Sequence, residues 1–188
     1  MPNSPSPAPL AHLVRIAGAP GSGKSLLITA LTEAFRARGI RTASATRRPD
    51  GATVFVMPNS GRATLDRPLG LDELPALLRS LDPSARLLFA EGYPAPADGI
   101  LAPTVEVLMW GVGPATPAPA LVATVDGAAL LRQFQRTGPK DAGLAAEVAN
   151  AIQSRVLGQT PGTRSPGTKT PEAHSGVART IRRWFRRG

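Results

Sequence analysis

The octapeptide Gly18-Ala19-Pro20-Gly21-Ser22-Gly23-Lys24-Ser25 constrains this chain more than any other stretch. It has the spacing G-x-x-x-x-G-K-[ST], which carries meaning only where a strand runs into the glycines and a helix leaves them. Both flanks meet that condition. Leu13-Val14-Arg15-Ile16-Ala17 is a short apolar run of the kind that forms a buried parallel strand. From Ser25 to Arg38, Leu26, Leu27, Ala30, Leu31, Ala34 and Phe35 recur at helical spacing, and Gly39 supplies the stop. At average residue usage a random chain of this length matches the octapeptide on the order of once in a hundred.

A loop of this type wraps its backbone N–H groups around an anion, and the helix behind it adds its positive N-terminal end. Gly18, Gly21 and Gly23 permit the tight turn, and Ala19, Pro20 and Ser22 complete the cradle. Lys24 is expected to reach β- and γ-phosphates, and the Ser25 hydroxyl to ligate Mg2+. The predicted ligand is a nucleoside triphosphate, GTP or ATP, with magnesium. A second candidate is Glu91, which follows the apolar run Arg86-Leu87-Leu88-Phe89-Ala90 and precedes Gly92. Ligands of open α/β sheets sit at the carboxyl ends of such strands. There Glu91 would hold magnesium through water or orient an attacking water, unless it is an ordinary loop carboxylate. Lys24 and Glu91 are thus the catalytic candidates, and Ser25 and Glu91 the metal candidates.

Further strands are expected over Arg41 to Thr46, Ala52 to Met57, Val105 to Trp110 and Leu121 to Val125. Pro58-Asn59-Ser60-Gly61 reads as a turn that makes Arg62 to Asp66 a hairpin partner. Helices are expected over Asp72 to Leu81, with acids in the first turn and Pro75 limiting the start, over Gly127 to Gln135, and over Leu144 to Leu157. Asp126 reads as the N-cap of the second of these, and Asp50 as a turn residue before Gly51. Strands alternating with helices predict an α/β fold of the P-loop NTPase type, a mostly parallel sheet flanked by helices with a β-hairpin insertion. The expected organisation is a disordered N-terminus over 1–11, one domain over 12–157, a disordered linker over 158–176 and a basic amphipathic helix over 177–188.

Composition narrows the function classes. With no cysteine, disulfides, thiolate metal sites and cysteine nucleophiles are excluded. The first nine residues carry neither a basic segment nor an apolar stretch, so no secretory signal is read there, and the expected location is cytoplasmic. The net charge is +9, but from Gln159 onward seven Arg and Lys face only Glu172, which assigns +6 of it to the tail. The body has no basic stripe interleaved with aromatics, and no specific nucleic-acid partner is expected. In the tail, Val177, Ile181, Trp184 and Phe185 share one helical face among five arginines. Such a helix docks peripherally on an anionic inner-membrane surface or an acidic partner, or is simply a solubilising basic end. His12 and His174 lack ligand spacing to any other ligand and are read as bystanders.

Over roughly residues 12 to 157 the chain resembles the molybdopterin-guanine dinucleotide biosynthesis protein B (MobB) family. The resemblance rests on the run Leu13 to Ser25, the helix up to Gly39, Asp50-Gly51-Ala52 leading into a hairpin through Ser60-Gly61-Arg62, and Leu87-Leu88-Phe89-Ala90-Glu91-Gly92-Tyr93. It implies GTP binding, slow hydrolysis, a homodimer and assistance to guanylylation of the molybdenum cofactor. By position it makes Gly18 to Ser25 the phosphate loop and Glu91 the acid on the magnesium side. Members follow the second strand with a His/Asp-rich stretch and a Gly-Lys-Asp-Ser segment, where this chain has only Thr46-Arg47-Arg48-Pro49-Asp50. Two other classes stay open. One is an ATP-dependent small-molecule kinase or dethiobiotin synthetase-like enzyme, for which Arg47, Arg48, Arg62 and Arg67 could meet transferred phosphoryl charge. The other is a non-catalytic nucleotide-binding accessory protein that docks through its basic tail.

Overall fold

The computed structural model describes residues 10–95, 102–109, 111–138 and 143–159. Trp110, the first nine residues, and the linker and basic tail helix expected from residue 160 onward lie outside the described residues. Seven strands form one sheet: β1 (His12–Ala17), β2 (Thr42–Arg47), β3 (Thr53–Met57), β4 (Gly61–Leu65), β5 (Leu87–Glu91), β6 (Thr104–Leu108) and β7 (Leu121–Asp126). The helices are α1 (Lys24–Ala37), α2 (Leu74–Leu81), α3 (Gly127–Thr137) and α4 (Gly143–Arg155). The sheet order is β4-β3-β2-β5-β1-β6-β7. Strands β2, β5, β1, β6 and β7 are mutually parallel, and β3 and β4 add an antiparallel hairpin at one edge. The expected α/β architecture with its hairpin insertion is the one observed.

Strand β1 lies at the centre of the parallel part, with Ile16 opposite Glu91 of β5 and Ala17 opposite Glu106 of β6. Parallel strands buried on both faces read as continuous apolar runs, and Val14, Ile16, Leu87, Leu88, Phe89 and Ala90 are almost wholly buried. One face of the sheet packs Val14, Ile16, Leu87, Phe89, Val105 and Val107 against α1, α3 and α4. The other packs Ala43, Ala45, Phe55, Leu88 and Ala90 against Leu74 and Leu78 of α2. The period of two thus splits each strand between two cores.

The start of α2 differs from expectation. Its first turn contains no acid, because the helix begins at Leu74 with Pro75 in the position proline favours. Glu73 is the N-cap residue, its carbonyl accepting from Leu77, and its carboxylate turns back to accept from the Gly70 amide at 2.7 Å and from Arg67 at 3.2 Å. These contacts hold its carboxyl below the usual range. Strand β6 ends at Leu108 rather than Trp110, and the last helix runs from Gly143 to Arg155 rather than Leu144 to Leu157.

Phe89 is the largest side chain that β5 contributes to the main core. Its ring centroid lies 6.1 Å from that of Phe35 on α1, and the Arg38 guanidinium covers the Phe35 ring at 5.6 Å. Phe89→Ala is expected to cost about 3–5 kcal/mol. Urea unfolding followed by far-UV circular dichroism measures this, and a loss below about 1 kcal/mol, the range of volume-conserving swaps, would contradict the packing described.

Candidate functional site

Because β1, β2, β5, β6 and β7 run in the same direction, their carboxyl ends share one edge of the sheet. The glycine-rich loop leaves β1 at the middle of that edge and turns directly into α1. Gly18, Gly21 and Gly23 have φ of 138°, 76° and 96°, a region that L side chains rarely adopt. At Gly18 a side chain is also excluded by space, since a Cβ there would lie 2.4 Å from the Val107 carbonyl oxygen. Nothing lies within 4 Å of a Cβ on Gly21, so the outer side of the loop is open. Gly23 is the N-cap of α1, and no side chain caps that helix end. The leading amides of α1, which have no intrahelical acceptor, are left for an anion.

Polar atoms converge on this loop. Lys24 Nζ lies back along it, donating to the Gly18 carbonyl at 3.0 Å and the Ala19 carbonyl at 2.7 Å. The Ser22 hydroxyl is buried within the loop and has no hydrogen-bond partner among the described residues. Ser25, on the first turn of α1, donates to both carboxylate oxygens of Glu91 at 3.0 Å. Residues 66 apart in sequence meet because Glu91 closes β5, the strand immediately beside β1. The candidates from Gly18 to Gly23 lie in the one loop, Lys24 and Ser25 open α1 directly behind it, and Glu91 is brought to them.

Two other expectations concern residues at the same edge. Asp126 caps α3, its Oδ1 accepting from the amides of Ala128 at 2.8 Å and Ala129 at 3.1 Å. Asp50 shapes the turn after β2, accepting from the Ala52 amide at 3.1 Å and pairing with Arg48 at 3.2 Å.

The sequence reading missed a polar cluster inside the sheet. Arg15 of β1 and Glu106 of β6 are both buried, on the face that α2 only partly covers. Arg15 donates to the Thr104 hydroxyl at 3.3 Å, the Tyr93 carbonyl at 3.2 Å and the Thr116 hydroxyl at 3.5 Å. Glu106 accepts from the amides of Ala115 at 3.0 Å and Thr116 at 2.9 Å. Burial pushes the Glu106 carboxyl up, but these amides, the Thr116 hydroxyl and the Arg15 charge outweigh it and hold it below its ordinary value. Burial pulls the Arg15 guanidinium down, and Glu106 opposes that shift. A signal for the pair was present, since each charge interrupts an otherwise apolar run, Leu13-Val14-Arg15-Ile16 and Val105-Glu106-Val107. Charges at such positions are hydrogen-bonded when buried, and here Thr116 joins the two.

Among solved structures, the chain is similar to a MobB protein homolog from Bacillus stearothermophilus, with a TM-score of 0.42 and 21% sequence identity over 72% of this chain and 97% of that one. No protein-family model matches the chain, and no curated protein matches it. No helix among the described residues is long and apolar enough to cross a membrane.

A group whose folded carboxyl is held low stabilises the fold fully above its unfolded value, here 4.5, and the contribution disappears as the pH falls through the lower folded value. Glu106→Gln is therefore expected to cost about 1–3 kcal/mol at neutral pH. It should also flatten the loss of stability on acidification below 4.5. Urea unfolding of both proteins across that range checks the sign, and parallel acid limbs would contradict it.

Proposed function

We propose that the loop Gly18 to Ser25 binds the phosphates of a nucleoside triphosphate with Mg2+. The observation that carries this reading is the meeting of Ser25 and Glu91 at the mouth of a glycine loop. The residues suit the ligand on three counts: backbone held open by positive φ, uncapped helix amides, and a buried hydroxyl on Ser22 without a partner among the described residues. They also suit the metal. Among the described residues no group of three or more His, Cys, Asp or Glu is placed to hold an ion by itself. Magnesium is commonly held by one or two carboxylates together with substrate phosphates, and Ser25 with Glu91 supplies the protein's share of such a set. The ion, when bound, neutralises charge on the phosphate oxygens.

In this reading Lys24 exchanges the Gly18 and Ala19 carbonyls for phosphate oxygens, and the amides of the loop orient the chain of phosphates. Glu91 fixes the Ser25 hydroxyl. Following the sequence resemblance, the nucleotide is GTP, its hydrolysis is slow, and the setting is assistance to molybdopterin guanine dinucleotide synthesis. A second reading, ATP-dependent phosphoryl transfer to a small acceptor, draws on Arg47. It ends β2 beside Gly92 and has no ion-pair partner among the described residues, which leaves a cation at the same edge for a second anion.

Calorimetry with GTP and ATP in the presence of magnesium separates the two readings. A preference for GTP supports the first, a preference for ATP the second, and no binding of either overturns both. Lys24→Ala is expected to abolish binding while leaving the thermal unfolding transition in place. Glu91→Gln should lower magnesium-dependent turnover by about 10–100-fold with nucleotide still bound, as read by phosphate release beside calorimetry.

A further inference from the structure

The phosphate loop is held from a side that the motif does not describe. A Cβ placed on Gly127, the first residue of α3, would lie 2.2 Å from the Ser22 carbonyl oxygen and 3.2 Å from the Ser22 carbonyl carbon. Its third neighbour would be the Leu108 carbonyl oxygen, at 3.2 Å. Gly127 does not have the positive φ that demands glycine in the loop itself, so its backbone would accept any L residue. Space alone forbids a side chain there, and the atom in the way belongs to the loop's own backbone.

The contact extends along the loop. A Cβ on Gly23 would meet Leu130 Cδ2 at 3.7 Å and the Gly127 carbonyl oxygen at 4.0 Å. On the other flank, Gly18 presses against the Val107 carbonyl of β6. The loop therefore sits between the end of β6 and the first turn of α3. That turn is itself fixed: Asp126 ends β7 in register with Leu108, and its side chain ties down the amides of Ala128 and Ala129. A rigid wall behind the Ser22 carbonyl sets how far the loop can retreat.

We propose that Gly127 is a positioning residue for phosphate binding, whose absent side chain lets the first turn of α3 seat the loop through Ser22. This rests on the reading that the loop binds a triphosphate. An added methyl must drive the Ser22 carbonyl back by about 1 Å and so misalign loop amides aimed at phosphate, and losing a hydrogen bond to a charged group weakens binding by about 10–100-fold. Gly143 provides a matched control. It also opens a helix, but a Cβ there would meet only the Gln133 side-chain nitrogen at 3.5 Å.

The test is calorimetry of Mg2+ with GTP, and of Mg2+ with inorganic tripolyphosphate, on the full chain and on Gly127→Ala and Gly143→Ala. Gly127→Ala should weaken both ligands by about 10–100-fold and move the phosphorus resonances of bound tripolyphosphate. Gly143→Ala should stay within about twofold of the parent. If the parent binds and Gly127→Ala binds equally well, or loses GTP while keeping tripolyphosphate, the positioning role is wrong and the triphosphate reading stands. If the parent binds neither ligand, both fall. Should Gly127→Ala fail to fold, amide resonances of the parent decide. On adding tripolyphosphate, those of Gly127 to Leu130 should shift together with the loop while Gly143 stays still, and silence at Gly127 to Leu130 overturns the proposal.

Discussion

The contact between the Gly18 backbone and the Val107 carbonyl determines where everything else at the site can go. A side chain at 18 would require the chain to leave β1 further from β6, and the loop could not turn at the middle of the sheet edge. Because it does turn there, α1 starts beside the end of β5, and the acid closing that strand reaches the hydroxyl on the first helical turn. Strand order and loop geometry are therefore one constraint. Central placement of β1 brings neighbours on both sides, and glycine lets the backbone approach the Val107 carbonyl of one of them closely.

The two faces of the sheet solve burial differently. On the α1, α3 and α4 side, apolar strand residues meet mainly apolar helix faces, with Gln153 of α4 buried where it accepts from Arg38. On the other side α2 is short and covers the β2, β3 and β5 region. Over β1 and β6 the covering is instead made by loop backbone that Arg15 and Glu106 hold in place. Loops expose amides and carbonyls that an apolar surface cannot satisfy, so the charged pair answers the polarity of its own cover. Tyr93 joins the same layer, buried with its hydroxyl bonded to that of Thr53 at 3.1 Å, and burial raises its phenol above the ordinary value.

Much of this was legible in the sequence, because the strongest signals were local. The glycine spacing, the run into it and the helical repeat after it placed β1 and α1 within a residue or so of their observed ends. Asp126 as a cap and Asp50 as a turn residue followed from side chains that bond their own nearby backbone. The interlocking of elements was not legible. Nothing in Asp126-Gly127-Ala128 announces a contact with Ser22, since the glycine adopts an ordinary conformation and its reason lies over a hundred residues away in the chain. The start of α2 was not legible for a related cause: Glu73 caps the helix with its backbone while its side chain turns back to the Gly70 amide and Arg67 of the preceding turn.

The link from Arg15 through Thr116 to Glu106 also bears on how such a chain can change over generations. Replacing Glu106 alone leaves the amides of Ala115 and Thr116 without an acceptor and removes the charge that faces Arg15, a change that costs about 1–3 kcal/mol. That is a large part of the stability of a small domain, about 5–15 kcal/mol. Replacing both together with apolar residues of similar volume is often neutral, but it would leave the amides of Ala115 and Thr116 without acceptors. Drift at these two positions therefore has to proceed in concert with the loop above them. The strand that delivers the glycine loop thus inherits a resistance to substitution from a polar layer that lies apart from the loop itself.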